Sequence, residues 1–396
     1  MSKGWHSTKE KTHPGSTLTA APTAWFHASS LGEFEQARPV LEQFKKDHPG
    51  VPIVVSFFSP SGYEIRKGYN QADYVCYLPL DTPSNARRFI DFINPTIVFF
   101  VKYDFWFNYL GELKRRNIPT YIFSSIFRES QYFFKPYGKW FLNQLHSFDH
   151  LFVQNQESIQ LLQSHGITEC SIAGDTRFDR VFDIARHVKP NPAIERFVHP
   201  ENGNDPAQPK VIIAGSSWEP DEKYLFEYFK STQIAPLKLI LAPHVISETH
   251  IAWIEQLFGK SNCVRYSQMG NAEATDRPVL IIDNMGMLSS IYHYSDIAYI
   301  GGGWGHGIHN ILEALTFGKP VIFGPNYTKF KEAHDIIGRQ GGFSYDTLVQ
   351  LRTWIDKKLS DSDDYISAVE TCKTYVNENI GSTRQILDTV YQKTVL

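Results

Sequence analysis

The sequence lacks the long apolar run that a membrane-spanning helix needs. Nowhere among its 396 residues do eighteen uncharged apolar residues follow one another, and the opening MSKGWHSTKEKTHPGS is polar and basic. A spanning helix takes about twenty apolar residues, and a signal peptide needs an apolar core. We therefore expect a protein that is soluble or at most peripheral to a membrane.

Cysteine and net charge are also scarce. The four cysteines are widely spaced and include no CxxC pair, so the sequence predicts neither a disulfide framework nor a zinc site. This cysteine usage fits a reducing cytoplasm. The net charge of -3 gives no basic excess, which argues against nucleic acid as the main partner. His306 and His309 have no carboxylates at ligand spacing, so we expect no metal site.

What the sequence does contain is an α/β rhythm, in which short β-branched and aromatic runs alternate with helix-length segments. Between residues 187 and 210 the sequence is rich in proline and charged residues and shows no hydrophobic periodicity. The length suits two domains. The predicted divisions are an N-terminal segment 1–20, a first Rossmann-like domain 21–188, a linker 189–209, a second Rossmann-like domain 210–360, and C-terminal helices 361–396 that cross back to the first domain.

The clearest motif is GGGWGHGIHN, residues 301–310, in which five glycines follow a predicted strand and a helix is predicted to begin near His309 and Asn310. Glycines let backbone amides approach a ligand, and a helix N-terminus favours phosphate. The nicotinamide-cofactor pattern GxGxxG fails in every register, so no such cofactor is expected. Glu313 then suits a ribose, although a carboxylate in a first helical turn is favoured without any ligand. We predict a donor site that includes Gly302, Gly303, His309, Asn310 and Glu313.

Three further strand ends in the second half are weaker candidates for the same site. One begins a helix with serines and acidic residues, one ends in a proline and a histidine that could stack on a base, and one is a loop whose backbone could contact a base. Each is also compatible with an ordinary cap, a structural histidine or a plain turn. The residues concerned are Gly215, Ser216, Pro243, His244, Met285, Gly286 and Met287.

In the first half, HASSLGE places Glu33 after a predicted strand. Glu33 is either a residue favoured by the dipole of a helix that Ser29 or Ser30 caps, or a base that deprotonates an acceptor hydroxyl. Other strand ends add candidates for the acceptor site or the cleft between domains. They are Ser59, Ser61 and Gly62, which form a second candidate cradle, together with Asp104 and Arg177. Aromatic packing is the alternative for the segment of Asp104, and a salt bridge at the domain boundary is the alternative for Arg177.

Taken in order, these motifs resemble those of the bacterial 3-deoxy-D-manno-octulosonic acid (Kdo) transferases, from about Trp25 to about Ala333. HASSLGE is similar to the family's HAxSxGE, SFFSPSG to TxTPTG, YLPLD to YLPxD and GDTRFD to GNxKFD. DNMGML is similar to DTMGEL, GIHNILEAL to GGHNPLEPA and GPNYTKF to GPHxxNF. Two departures are KYDFWFN for ETELWPN, which replaces an acidic residue by Lys102, and PHV for PRH, which loses an arginine.

The resemblance implies a GT-B fold, with two Rossmann-like domains facing each other across a cleft. It further implies an inverting glycosyltransferase without cofactor or metal, which moves Kdo from CMP-Kdo to a lipid A precursor (lipid IVA) at the cytoplasmic face of the inner membrane. Glu33 would be the catalytic base. The family's usual N-terminal anchor helix is not seen in this sequence, so either its start has been trimmed or the protein relies on surface contacts. Candidates for such contacts are Lys114, Arg115 and Arg116 or the run YFFKPYGKWF, which is equally compatible with a buried helix. The alternatives are another GT-B enzyme that uses a UDP-sugar, or a non-catalytic sugar-nucleotide-binding protein.

Overall fold

The computed structural model describes residues 22–199, 208–270 and 276–394, and it divides into two compact units. Unit 1 contains the chain up to Arg180 and the segment from Asn379 onward, and unit 2 is Val181–Glu378. The segment 1–20 lies outside the described residues. No helix in the described ranges has the length and apolarity needed to cross a membrane.

Unit 1 is built on seven parallel strands in the order β3-β2-β1-β4-β5-β6-β7. The strands are β1 Thr23–His27, β2 Ile53–Phe57, β3 Tyr74–Tyr77, β4 Pro95–Val101, β5 Thr120–Ser125, β6 His150–Val153 and β7 Cys170–Ile172. The helices between them are α1 Leu31–Asp47, α2 Pro60–Arg66, α3 Pro83–Ile93, α4 Phe107–Arg115, α5 Lys139–Gln144 and α6 Gln156–Ser164, and α7 Arg177–Arg186 leads into unit 2.

Both faces of this sheet are covered, which is why its central strands are continuous apolar runs rather than alternating ones. Trp25 of β1 packs in one core, whereas Ala24 and Phe26 pack in the core on the opposite face. That second core includes Ile386 and Leu387 from the last helix of the chain. The chain from Asn379 onward is therefore part of unit 1, whereas residues 361–378 of the predicted C-terminal segment belong to unit 2.

Unit 2 repeats the plan, with parallel strands in the order β10-β11-β9-β8-β12-β13-β14. Its strands are β8 Lys210–Ser217, β9 Leu237–Pro243, β10 Cys263–Arg265, β11 Val279–Ile281, β12 Ile297–Ile300, β13 Val321–Phe323 and β14 Gly342–Ser344. Its helices, with the last helix of the chain, are α8 Pro192–Val198, α9 Glu219–Ser231, α10 Glu248–Phe258, α11 Leu288–Ile291, α12 Leu312–Leu315, α13 Lys331–Gly338, α14 Leu348–Ser360, α15 Ser362–Asn379 and α16 Ser382–Lys393. Only α16 of these belongs to unit 1.

The stretch 189–209, which the sequence suggests is an irregular linker, contains a helix as far as it is described. Asn191 caps α8 by accepting from the amides of Ala193 and Ile194, and Ile194 and Phe197 are buried. Asparagine followed by proline at the first helical position is a known helix start. Residues 200–207 lie outside the described ranges.

The direction in which the strands are added reverses between β1 and β4 in unit 1, and the corresponding reversal in unit 2 lies between β8 and β12. Two Rossmann-like units with parallel sheets are the predicted fold class, which is confirmed. In open parallel sheets, ligands bind beyond the carboxyl ends of the strands at such a reversal. Glu33 follows β1 and Asp104 follows β4, while Trp218 follows β8 and the glycine-rich loop follows β12. Both reversals are therefore lined by residues with binding or catalytic chemistry.

Candidate active site

Glu33 lies in the first turn of α1, where it completes a capping box. Ser30 is the N-cap, and its amide and its hydroxyl each donate to Oε2 of Glu33 at 2.8 Å. Within the described part of the chain, the structure gives Oε1 no hydrogen bond, and the side chain is partly exposed. The carboxylate is thus fixed through one oxygen, while the other is free to accept a proton.

Asp104 is a charged partner of this loop, although it is far away in the sequence. Its Oδ2 accepts from the amide of Ser29 at 3.0 Å and its Oδ1 accepts from the Ser29 hydroxyl. Ser29 therefore does not cap α1, because its hydroxyl is committed to Asp104. Burial, with a contribution from the negative charge of Glu33, raises the pKa of Asp104 to about 7.

His27 lies beneath this pair in β1 and is completely buried. Its Nδ1 is 2.8 Å from Oγ of Ser56, and its Nε2 is 3.7 Å from Oδ2 of Asp104. Burial lowers the pKa of His27 to about 3, so the ring is neutral at pH 7 and the contact with Asp104 is not an ion pair. Sequence analysis missed His27, because a histidine inside an apolar strand is most often structural.

The raised pKa of Asp104 predicts a specific dependence of stability on pH. The folded protein keeps a proton that the unfolded chain releases above about pH 4, so this group's contribution to stability falls as pH rises toward 7. Asp104→Asn removes this pH-dependent loss of stability, because asparagine does not ionise. We therefore expect the difference in free energy of unfolding between variant and wild type to be more favourable to the variant at pH 8 than at pH 5, by on the order of 2 kcal/mol.

Thermal or urea unfolding of both proteins at the two pH values measures this difference. Asp149→Asn is the matched control, because Asp149 also accepts a backbone amide, that of Thr120 at 2.8 Å, but is exposed. An Asp104→Asn effect of the same size at both pH values would show that the carboxyl is ionised throughout.

The remaining unit 1 candidates fall into two places. Ser59 caps α2 by accepting from the amide of Ser61 at 3.3 Å, and its own amide donates to the carbonyl of Ser29, so this turn adjoins the Glu33 loop. Gly62 packs so closely on Phe57 that a side chain would collide with that ring. Arg177 is committed elsewhere, since it donates to the buried carboxylate of Asp175.

The ion pair between Arg177 and Asp175 is the salt bridge that the sequence left open as the alternative to a ligand contact. Burial alone would raise the pKa of Asp175, but the Arg177 guanidinium and the Gln36 amide, which donates at 2.9 Å, hold it below its usual range. Gln36 lies on α1, so the pair ties the end of unit 1 to the helix that begins next to Glu33. A positioning role for Arg177 follows from these contacts.

In unit 2, the glycine-rich loop is folded tightly against two neighbouring segments. The amide of Gly301 donates to the Gly215 carbonyl at 2.9 Å, and a Cβ on Gly303 would lie 2.6 Å from the Gly324 amide nitrogen. Asn326 ties the loop from the far side, because its amide donates to the Gly303 carbonyl and its Nδ2 donates to the Gly305 carbonyl. Glycine is required here because backbone approaches backbone.

The helix after this loop begins later and is shorter than the sequence suggests. It is a single turn, Leu312–Leu315, rather than a helix from His309 or Asn310. Asn310 lies before it, where Oδ1 accepts from the Leu312 amide at 3.1 Å and Nδ2 donates to Oε1 of Glu313 at 3.2 Å. One turn has a weak dipole, so a phosphate here would depend on individual amides and side chains.

Asp221 holds the loop in place from below and was not predicted. This fully buried carboxylate accepts from the amides of Gly302 and Trp218, both at 3.0 Å, and from the hydroxyl of Tyr299 at 2.8 Å. Burial raises its pKa despite these bonds. The acidic residue three positions after the N-cap of α9 was the available signal, but it indicated only a cap.

The other predicted donor residues surround the same reversal of the sheet. Gly215 leaves no room for a side chain, which would meet Tyr292 and Leu288, and Ser216 has a left-handed backbone with φ of 53°. Pro243 ends β9. The loop of Met285, Gly286 and Met287 precedes α11, with Gly286 at φ 89° and the Met285 side chain 87% exposed. His244 is exposed and lies against two other rings.

Comparison with known proteins gives a consistent family for these features. The sequence profile of the family described as 3-Deoxy-D-manno-octulosonic-acid transferase (kdotransferase) matches residues 4–180. A transferase of that name from Chlamydia pneumoniae is 24% identical, over 91% of this chain and 83% of its own length. Those from Aquifex aeolicus (strain VF5) and Haemophilus influenzae are 25% and 26% identical, over 85% and 78% of this chain and 86% and 72% of their own lengths. The resemblance that the motifs indicate is confirmed.

Solved structures agree on the fold. UDP-GlcNAc 2-epimerase from Neisseria meningitidis superposes with a TM-score of 0.65 at 14% identity, over 93% of this chain and all of that one. A protein from Listeria monocytogenes that is assigned as a UDP-N-acetylglucosamine 2-epimerase gives a TM-score of 0.62 at 13% identity, over 95% of this chain and 98% of that one. At such identities the likeness establishes the two-unit α/β fold of the GT-B type and nothing about activity.

Proposed function

We propose that this chain, a relative of the Kdo transferases, transfers Kdo from CMP-Kdo to a hydroxyl of a lipid A precursor with inversion at the anomeric carbon. The observation that carries the proposal is Glu33, a carboxylate with one oxygen fixed by Ser30 and the other free, at the strand-order reversal of unit 1. The curated relatives, which match over most of this chain, support the donor and the sugar.

In this mechanism, Glu33 removes the proton of the acceptor hydroxyl as its oxygen attacks the anomeric carbon, and CMP departs with the bonding electrons. The capping box keeps the carboxylate in one orientation, which lowers the entropic cost of placing the base. Asp104 is kept beside it by the two bonds from Ser29 and supports the geometry of the loop. The acceptor is assigned to unit 1 on these grounds.

The donor is assigned to unit 2. Backbone amides of the glycine-rich loop suit a phosphate, and the growing negative charge on CMP would be stabilised by such fixed donors. Glu313, oriented by the 3.2 Å bond from Asn310, suits the ribose hydroxyls. Exposed backbone around Gly286 suits the edge of a base.

Peripheral contact with the inner membrane is part of the proposal, through the segment 132–141. Phe133 of this segment is buried, whereas Tyr137 and Trp140 are 74% and 55% exposed beside the exposed Lys139. Exposed aromatics next to a cation suit the interface of an anionic membrane. Sedimentation with anionic phospholipid vesicles tests this, and Tyr137→Ser combined with Trp140→Ser is expected to leave the protein in the supernatant.

The decisive experiment measures CMP release from CMP-Kdo with and without a tetraacyl lipid A precursor, followed by mass spectrometry of the lipid. Lipid-dependent release with a mass gain of Kdo supports the proposal. Release that is independent of lipid, or turnover of UDP-GlcNAc instead, would refute it. Binding of CMP without any turnover would favour a non-catalytic nucleotide-binding protein.

A further inference from the structure

Three aromatic rings meet at the carboxyl ends of β8, β9 and β12, and only two of them stood out in the sequence. Trp218 is the N-cap of α9, His244 follows β9, and His309 ends the glycine-rich loop. The rings of Trp218 and His244 are stacked at 4.7 Å and 25°, and those of His244 and His309 at 4.5 Å and 24°. The indole Nε1 donates to Nε2 of His309 over 3.4 Å.

These distances define the arrangement. If His244 lay between the other two rings, they would be separated by about twice a stacking distance, beyond hydrogen-bond reach. Trp218 and His309 therefore lie edge to edge on the same face of His244. Behind them, a Cβ on Gly302 would lie 3.0 Å from Cδ2 of His309, so that imidazole rests on the backbone of the loop. His309 is thus backed by the loop and is partly buried, whereas His244 and Trp218 are exposed, Trp218 to 40%.

The hydrogen bond within the stack requires a neutral His309. Burial, with a further contribution from His244, lowers the pKa of His309 to about 4. In the neutral tautomer with the proton on Nδ1, Nε2 carries the lone pair that the indole N–H, a donor only, needs, and the contact with Trp218 selects that tautomer. The same Asp221 carboxylate accepts from the amides of Trp218 and Gly302, so the two backing rings are held to one anchor.

We propose that the ring stack of Trp218, His244 and His309 is the platform for the nucleobase of the donor, with the outer face of His244 as the contact surface and Trp218 as the positioning residue that keeps this imidazole flat. The inference rests on the proposed function for the identity of the nucleotide, but the geometry requires only a planar base. It adds Trp218 to the predicted donor residues. Stacking tolerates any base, so the choice of cytosine must come from elsewhere, such as the backbone near Gly286.

The test compares CMP with ribose 5-phosphate, which lacks the base, by calorimetry or competition. Trp218→Ala is expected to weaken CMP binding about tenfold or more, since base stacking on an aromatic platform contributes on that scale, and to leave ribose 5-phosphate binding unchanged. Trp218→Phe should retain most of the CMP affinity, because a phenyl ring can still back His244. If Trp218 acts through His244, adding Trp218→Ala to His244→Ala should cost no further affinity.

Equal losses for CMP and ribose 5-phosphate would overturn the platform and leave Trp218 as part of the fold. So would an unchanged CMP affinity in Trp218→Ala, or the absence of binding of any nucleotide to the wild type. If the wild type binds UMP but not CMP, and Trp218→Ala loses affinity for UMP but not for ribose 5-phosphate, the proposed donor is refuted and the platform is supported. The two proposals therefore fail in different ways.

Discussion

Replacing Glu33 by glutamine is expected to reduce the proposed Kdo transfer by about 100-fold to 10,000-fold, the range that a positioned general base contributes. Glutamine is as good as glutamate at the third position of a capping box, so the bonds from the Ser30 amide and hydroxyl can persist. The variant therefore removes the negative charge and the proton acceptor but not the cap. Because the proposed donor residues belong to unit 2, CMP binding should be unchanged.

The measurement is the initial rate of lipid-dependent CMP release, together with CMP affinity and melting temperature. Glu157→Gln is the matched control, since Glu157 is an exposed carboxylate in the first turn of another helix of unit 1, α6. A Glu33→Gln protein that is as stable and as active as Glu157→Gln would assign Glu33 to helix capping alone. Loss of both activity and stability would point to the same structural role.

Replacing Gly301 by alanine is expected to destabilise unit 2 by about 3 kcal/mol, a large cost for overpacking, and to abolish CMP binding. An added methyl group would overlap the carbonyl oxygen of Ser216 and lie 2.6 Å from the Cα of Ser217. Both are backbone atoms of β8, so neither can move without disturbing the sheet. The glycine-rich loop would have to shift away from Asp221 and Trp218.

Gly305→Ala is the control from the same loop. Among the described residues, a Cβ there would meet only the Gly302 carbonyl oxygen, at an ordinary 3.7 Å, and the residue is exposed. We expect its melting temperature and CMP affinity to stay near those of the wild type. Equal behaviour of the two variants in thermal unfolding would mean that the loop is not held by close packing, contrary to the structure.

Much of the fold was predictable, because the central strands are buried on both faces and therefore appear as continuous apolar runs. Three strands are not predictable from hydrophobic runs, because each has only three residues and forms the edge of its sheet: Cys170–Ile172, Cys263–Arg265 and Gly342–Ser344. Helix α8 was missed because proline and asparagine indicated a linker, although the same residues also begin helices. Such a local pattern is compatible with both a linker and a helix, and tertiary packing decides which of the two forms.

The candidate site was also predictable only in part, because local patterns are visible in the sequence and long-range contacts are not. The spacing of Ser30 and Glu33 contains the capping box, so the sequence could place that carboxylate at a helix start. It could not show that Ser29 binds Asp104, 75 residues away, or that Trp218 bonds to His309, 91 residues away. No local period connects such pairs.

The sequence by itself determined two α/β units, the order of the motifs and the resemblance to the Kdo transferases, because hydrophobic runs and glycine-rich turns act locally. The tertiary structure alone decided which side chains meet. In a parallel sheet, residues that follow different strands converge at one edge, and strand order decides which of them become neighbours. Since β1 adjoins β4 and β8 adjoins β12, Glu33 shares a loop cluster with Asp104, and Trp218 with His309.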